Sequence, residues 1–337
     1  MSNIDWSALS FGYIKCNCNI RAQYKDGKWG ELTLTDNEYI PLHMSAPSLH
    51  YGSEIFEGLK AFTGIDGKIR IFRADENAKR FNSSAERLCM PTVSEEMFIK
   101  ACVEVVRANK EFVPPYGYGA SLYIRPFMIG TEAVLGVKPA HEFLFCIFVS
   151  PVGAYYKSGL SPVGCIIDRE YDRAAPMGTG NVKCGGNYAA SLLAGEKAHE
   201  AGYSAVLYLD AKEHKYIEEC SAANFFGIKD KKYITPKSKS ILPSITNLTL
   251  RTIAADLGLE VEQRQVEYDE LSTFEECGAC GTAAVISPIG NIYDPANDST
   301  INYGETVGDY SHAMYDRLQD IQYGRYEDKY GWTIVVE

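Results

Sequence analysis

The stretch FLFCIFVSPVGAYYKSGLSP, residues 143–162, decides how the chain is divided. From Phe143 to Val149 every side chain is apolar, so both alternating faces are covered, as in a strand packed on each side. The continuation GAYYKSGLSP, residues 153–162, is crowded with turn formers and reads as a linker. This predicts a first domain at 1–152, a linker at 153–162 and a second domain at 163–337. Upstream, Ala74, Ala78, Phe81, Ala85 and Leu88 recur at helical spacing behind Asp75 as a cap. A second helix follows the capping-box pattern of Thr92 to Glu95 and runs through Phe98, Ala101, Val105 and Val106. Downstream come strands near Val163–Asp168 and Ala205–Asp210, a helix over 187–201 and a hairpin through Lys229 to Lys232. Two more helices are marked, one by Leu250, Ile253, Ala254 and Leu257, the other by Tyr310 to Tyr323. The class is mixed α/β (α+β), without internal repeats.

Composition fits that reading. The 337 residues carry 33 basic and 44 acidic side chains, a formal net charge of −11, with 46% hydrophobic and 23% charged residues. These proportions belong to ordinary globular proteins, far from those that stay disordered. The longest apolar run is well short of the ~20 residues that span a bilayer. The N-terminal MSNIDWSALS has neither a basic region nor an apolar leader, so a cytoplasmic location is expected. An acidic surface without a basic cluster argues against nucleic acid, and no membrane partner is expected. Ten scattered cysteines do not form the dense framework of a small secreted domain and read as reduced thiols. Neither Cys277 with Cys280 nor Cys16 with Cys18 has the second ligand pair of a structural zinc site, so no metal is expected. A redox role for the Cys277 and Cys280 pair stays open.

Chemistry concentrates at GTGNVKCGGNY, residues 178–188, where four glycines frame one lysine. Two readings stand: a surface loop with a solvated Lys183, or a backbone shaped to approach a ligand, with Lys183 able to form a Schiff base once its amine is neutral. The spacing fits neither dinucleotide nor Walker fingerprints. Leu242 to Thr246, LPSIT, leads into a helix whose first amides suit an anion. Gly281-Thr282 is a small turn with a hydroxyl and amides, and Arg80 flanks the apolar stripe of its helix. Tyr123 and Arg125 lie two apart on a strand and share a face. Pro126 next to them predicts that this strand is an edge or stops there.

Taken in order, LHYGSEIFEGLKAF (49–62), SLYIRP (121–126), SPVGAYY (150–156), NVKCGGNY (181–188), EECSAAN (218–224), LPSIT (242–246), GTAA (281–284) and IQYGRYEDKYGW (321–332) resemble the motifs of branched-chain amino acid aminotransferases. The resemblance covers nearly the whole chain. It implies a fold-type IV enzyme using pyridoxal 5′-phosphate, with a smaller α/β N-terminal domain, a larger pseudo-barrel domain and the cofactor between them. The implied reaction moves the amino group of leucine, isoleucine or valine to 2-oxoglutarate.

By the same resemblance, Lys183 is the lysine that bonds to the cofactor and then moves the substrate proton. Glu219 matches the carboxylate at the pyridine nitrogen, and Tyr188 the partner of the ring's phenolic oxygen. Arg80, the amides of Ile245 and Thr246, and Thr282 match the phosphate binders. Tyr51, Phe56, Tyr123, Arg125 and Tyr155 match substrate-pocket positions, and the amides near Thr282 and Ala283 match those that hold the substrate carboxylate. Leu135 and Val137 resemble loop residues that close the partner subunit's pocket, which implies a homodimer. The chain departs from the pattern at Cys184 and at CSA (220–222), neither of which removes a catalytic group, and at KCNCN (15–19), in a wall of the pocket. The same-fold alternatives, D-amino acid aminotransferase and aminodeoxychorismate lyase, would lack YIRP paired with GGNY. A non-catalytic phosphate-binding module would need neither Glu219 nor a tyrosine five residues after the lysine.

Overall fold

The structure, a computed structural model, describes residues 4–153 and 160–337. Two compact units divide the chain: Met1–Tyr155 with Val182–Gly185 and Asp320–Glu337, and Tyr156–Asn181 with Gly186–Gln319. This differs from a single cut at 153–162, because the lysine segment and the C-terminal residues return to the first unit. The C-terminal return has a plain cause: Thr333–Val336 is a strand that pairs with Ile69–Phe72.

The first unit is built on an antiparallel sheet. Its main strands are β1 (Asn19–Lys25), β2 (Glu54–Phe56), β3 (Leu59–Thr63), β4 (Ile69–Phe72), β5 (Ser121–Gly130) and β6 (Phe143–Val152). The order runs from the C-terminal strand through β4, β3, β5 and β6 to β1, with β2 added on β5. Helices α1 (Ala74–Arg87) and α2 (Glu95–Ala108) cover one face. Phe81 and Phe98 meet Phe145 there with ring centroids 5.5 and 6.0 Å away. The predicted stripe Ala74, Ala78, Phe81 and Ala85 is buried, as 3.6-residue spacing requires.

The caps differ from expectation. Arg73, in the left-handed region at φ 54°, precedes α1 without a side-chain cap, and Asp75 lies inside the first turn. Ser94, rather than Thr92, caps α2 by accepting the Met97 amide.

Pro126 also sits differently: β5 is a central strand between β3 and β6. β3 pairs with β5 at Leu122–Ile124 and β2 at Phe127–Ile129, so Pro126 meets the gap between them. There its carbonyl accepts the Glu57 amide at 2.7 Å. Because a residue's N–H and C=O point to the same neighbour in an antiparallel sheet, the missing donor faces the interrupted side.

In the second unit the strands are β7 (Val163–Asp168), β8 (Ala205–Leu209), β9 (Ile217–Cys220), β10 (Ala223–Lys229), β11 (Lys232–Pro236), β12 (Glu260–Arg264), β13 (Glu276–Gly281) and β14 (Val285–Asp294). The order β9-β8-β7-β14-β13-β10, with β10 pairing back to β9, closes a barrel. β11 and β12 extend from β10. The hairpin between β10 and β11 turns on Asp230 and Lys231 at φ 50° and 57°, the paired left-handed conformation of a two-residue I′ loop.

The helix expected at 187–201 is two, α3 (Gly185–Ala190) and α4 (Leu192–Glu200). The break falls at Ser191, whose amide and hydroxyl both donate to the Tyr188 carbonyl and tighten that turn. Helices α5 (Ile245–Asp256) and α6 (Asp309–Gln322) lie where the periodicity placed them. Cys277 and Cys280 are both buried on β13, three residues apart and so on opposite faces, which removes the geometric basis for a redox pair. Burial pushes the Cys280 thiol up to about 12.

Candidate active site

Each unit holds its own group of functional side chains. In the first, the alternation of β5 buries Leu122 and Ile124 against the helices and turns Tyr123 and Arg125 to the opposite face. Gly58 makes room for them: a Cβ there would stand 2.0 Å from the Tyr123 hydroxyl. The Arg125 guanidinium lies over two rings, 4.9 Å from the Phe56 centroid and 5.2 Å from that of Tyr123. Its Nη2 donates to the Tyr123 hydroxyl at 3.2 Å, while its buried Nε meets no hydrogen-bond partner among the described residues.

Lys183 joins this group. Its amide donates to Ser84 Oγ at 3.0 Å and its carbonyl accepts the Phe56 amide at 3.0 Å. With the backbone held from both sides, the side chain carries Nζ over the Phe56 ring, 4.7 Å from the centroid. Glu54, two residues before Phe56 on β2, accepts the Gly185 amide and so anchors the end of the lysine segment. Burial raises the Glu54 carboxyl, against the opposing pull of that amide and of Arg125.

Arg80, on α1, grips Glu57 through Nε and Nη2, both at 2.7 Å. Tyr51 donates to the Leu135 carbonyl at 2.5 Å. Leu135 and Val137 are 86% and 83% exposed. Tyr155 lies outside the described residues.

In the second unit Glu219 is buried on β9. Its Oε1 accepts the Leu242 amide at 2.6 Å and Asn224 Nδ2 at 3.2 Å, and its Oε2 lies 3.3 Å from Arg173 Nε. Asn224 is held in turn by Asn247 Nδ2 at 3.0 Å, and Asn247 accepts the Tyr233 hydroxyl at 3.0 Å. Because Asn247 belongs to the first turn of α5, this chain of amides ties the carboxylate to the start of that helix. Ser244 caps α5 by accepting the Asn247 amide at 3.2 Å, leaving Ile245 and Thr246 at the positive end of the helix. Tyr188 is half-buried on α3. Thr282 and Ala283 occupy the three-residue turn between β13 and β14, which closes on Val285 at φ 67°, an unusual conformation for a β-branched residue.

The sequence reading passed over Glu54, Glu57, Asn77, Ser84, Arg173, Asn224 and Asn247. A signal existed for the first two: carboxylates inside the apolar run EIFEGLKAF call for buried partners. Among the described residues no group of His, Cys, Asp or Glu is arranged to hold a metal ion, and no helix is long and apolar enough to cross a membrane.

Residues 54–292 match the family model of amino-transferase class IV. The chain is 50% identical over 344 residues to the branched-chain-amino-acid aminotransferase of Haemophilus influenzae, with 100% of each chain covered. The solved branched-chain amino acid aminotransferase of Escherichia coli is similar at a TM-score of 0.81 and 28% identity, over 96% of this chain and 100% of that one. The branched-chain amino acid aminotransferase of Thermoproteus uzoniensis, solved with norvaline, gives 0.77 at 26% identity, over 94% of this chain and 100% of that one. Another solved branched-chain amino acid aminotransferase, with pyridoxamine 5′-phosphate, gives 0.78 at 28% identity, over 96% of this chain and 100% of that one.

Proposed function

The chain belongs to the class IV aminotransferases and is an enzyme of branched-chain amino acid transamination, and from that footing we propose that it works with pyridoxal 5′-phosphate carried on Lys183. The donor set fits the group: an amine for the aldehyde, a buried carboxylate for the ring nitrogen, and an arginine with helix-end amides for the phosphate. When bound, the cofactor supplies an aldehyde carbon that receives the amino group and a ring that draws electrons from the substrate Cα.

The observation that carries the reading is the clamped backbone of Lys183, which aims its amine over Phe56 beside Arg125 and Tyr123. From there Lys183 moves the proton at the substrate Cα, and the fixed main chain spares it the cost of being positioned during the reaction. Glu219, 3.3 Å from Arg173 Nε, would place its carboxylate at the ring nitrogen. Tyr188 partners the phenolic oxygen, while Arg80, the amides of Ile245 and Thr246, and Thr282 hold the phosphate.

Phe56, Tyr51 and Tyr123 form the apolar wall for leucine, isoleucine or valine, and the amides at Thr282 and Ala283 take the substrate carboxylate. Arg125 meets the second carboxylate of glutamate or 2-oxoglutarate, which would be costly to leave unpaired. The exposed Leu135 and Val137 reach the partner's pocket in a homodimer. All ten cysteines are free thiols, as a reducing cytoplasm would keep them.

The test is Lys183→Ala with the cofactor added back. The variant should bind the cofactor through its phosphate, lose turnover and lose borohydride-fixed cofactor. Fixation at the wild-type level would remove Lys183 from this role.

A further inference from the structure

We propose that Glu57, backed by Asn77, is a positioning residue that holds Arg80 in place for the cofactor phosphate; the inference rests on the reading of Arg80 given above. Glu57 falls in the break between β2 and β3 and is 0% exposed. Its carboxylate is fully engaged: Oε1 accepts Arg80 Nε at 2.7 Å, and Oε2 accepts Arg80 Nη2 and Asn77 Nδ2, each at 2.7 Å. The Gly58 amide adds a further bond to Oε2 at 3.2 Å. Asn77 and Arg80 are three apart on α1 and share a face, so one turn of helix supplies both groups that meet the carboxylate.

The fork takes two of the five guanidinium donors and fixes the guanidinium plane. An arginine can serve two anions on two edges only if the first anion does not move, and a buried carboxylate with this many bonds does not. Without it, Arg80 would lose the bidentate carboxylate that fixes its guanidinium plane, and its long side chain could swing away. Phosphate would then have to order every torsion of that chain on binding.

Net charge works in the opposite direction. Glu57 partly cancels Arg80, so if net charge alone mattered, removing the carboxylate would tighten phosphate binding. The sign of the change therefore separates orientation from charge. Glu57→Gln keeps the shape but sets an amide NH₂ against the arginine donors, which breaks the fork.

The experiment titrates cofactor-free protein with pyridoxal 5′-phosphate and, separately, with pyridoxal, which lacks the phosphate, following the visible spectrum. For Glu57→Gln we expect affinity for the phosphate form to fall by about tenfold or more, the worth of a charge-assisted hydrogen bond, with pyridoxal affinity unchanged within about twofold. Inorganic phosphate should lose potency as a competitor in parallel. Equal losses for the two ligands, no loss, or tighter binding of the phosphate form would overturn the proposal.

Arg80→Met is the control for the underlying reading. If it leaves the ratio of the two affinities unchanged, Arg80 does not bind the phosphate; if it changes the ratio while Glu57→Gln does not, the positioning role alone fails. Should Glu57→Gln not fold, Asn77→Ala removes one bond to the same carboxylate and keeps its charge. It should give a loss of about threefold confined to the phosphate form, and a loss shared by pyridoxal would again overturn the proposal.

Discussion

Arg125 is stacked over Phe56 and Tyr123, and on the function proposed above it would offer an apolar flank to a branched side chain and a cation to a dicarboxylate. Replacing it with Met keeps the length and removes the charge. The 2-oxoglutarate half-reaction should slow by roughly ten- to a hundredfold and the leucine half-reaction much less. Stopped-flow measurement of each half-reaction decides this, and equal losses would make Arg125 a general support of the site. Lys60, on β3 opposite Tyr123, is 8% exposed, and burial lowers its ammonium from 10.5 to about 8. Its folded pKa is the depressed one, so the unfolded chain binds more protons between pH 8 and 10.5 and stability rises with pH across that window. Lys60→Met should therefore add on the order of 3 kcal/mol at pH 7, a gain that fades from about pH 8 to about 10.5. Denaturation curves of both proteins across that range would show it; a difference independent of pH would rule it out. At this scale the sequence singled out the glycine-framed Lys183 by its chemistry, and the structure sets its amine over Phe56. The residues that hold others, such as Arg173 and Asn247, were hidden because their partners lie far along the chain.

Helix α5 is linked to Glu219 through its first turn. Ser244 satisfies the Asn247 amide, and Asn247 passes the constraint through Asn224 to Glu219. Ser244→Ala should cost about 1 kcal/mol of stability and weaken pyridoxal 5′-phosphate more than pyridoxal. Denaturation and the two-ligand titration measure these effects, and full stability with unchanged affinities would show that the cap is idle. Elements with strong periodicity, α1, α2, β6 and α5, were legible because local pattern and tertiary burial agree. Their ends were less so, since a cap depends on backbone angles that a pattern of residue types does not specify, as Ser94 and Arg73 show. Pro126 misled for a related reason: its rule concerns the unmet donor, and the donor's neighbour is set by where β2 gives way to β3.

For the whole chain, the alternation of strands and helices, the net acidity and the order of motifs were all visible in the sequence, and the class IV match over residues 54–292 agrees with them. The division into units was harder to read, because Thr333–Val336 returns to Ile69–Phe72 across most of the chain and no local signal announces such a pairing. Removing residues 333–337 should uncover the edge of β4 and forfeit the burial of Ile334 and Val336, a loss on the order of 2–4 kcal/mol, and promote association through that edge. Thermal melting with light scattering would test this; a shortened chain that melts and scatters like the full one would mean that the strand is ornamental. The same pairing bears on how the protein is made. During translation the β4 edge leaves the ribosome with no partner, and the strand that covers it follows roughly 260 residues later. At ~5–20 residues per second, the nascent chain carries an open β edge for about ten to fifty seconds, so the first unit cannot finish folding until synthesis is nearly over, and a holding chaperone has its clearest client in that interval.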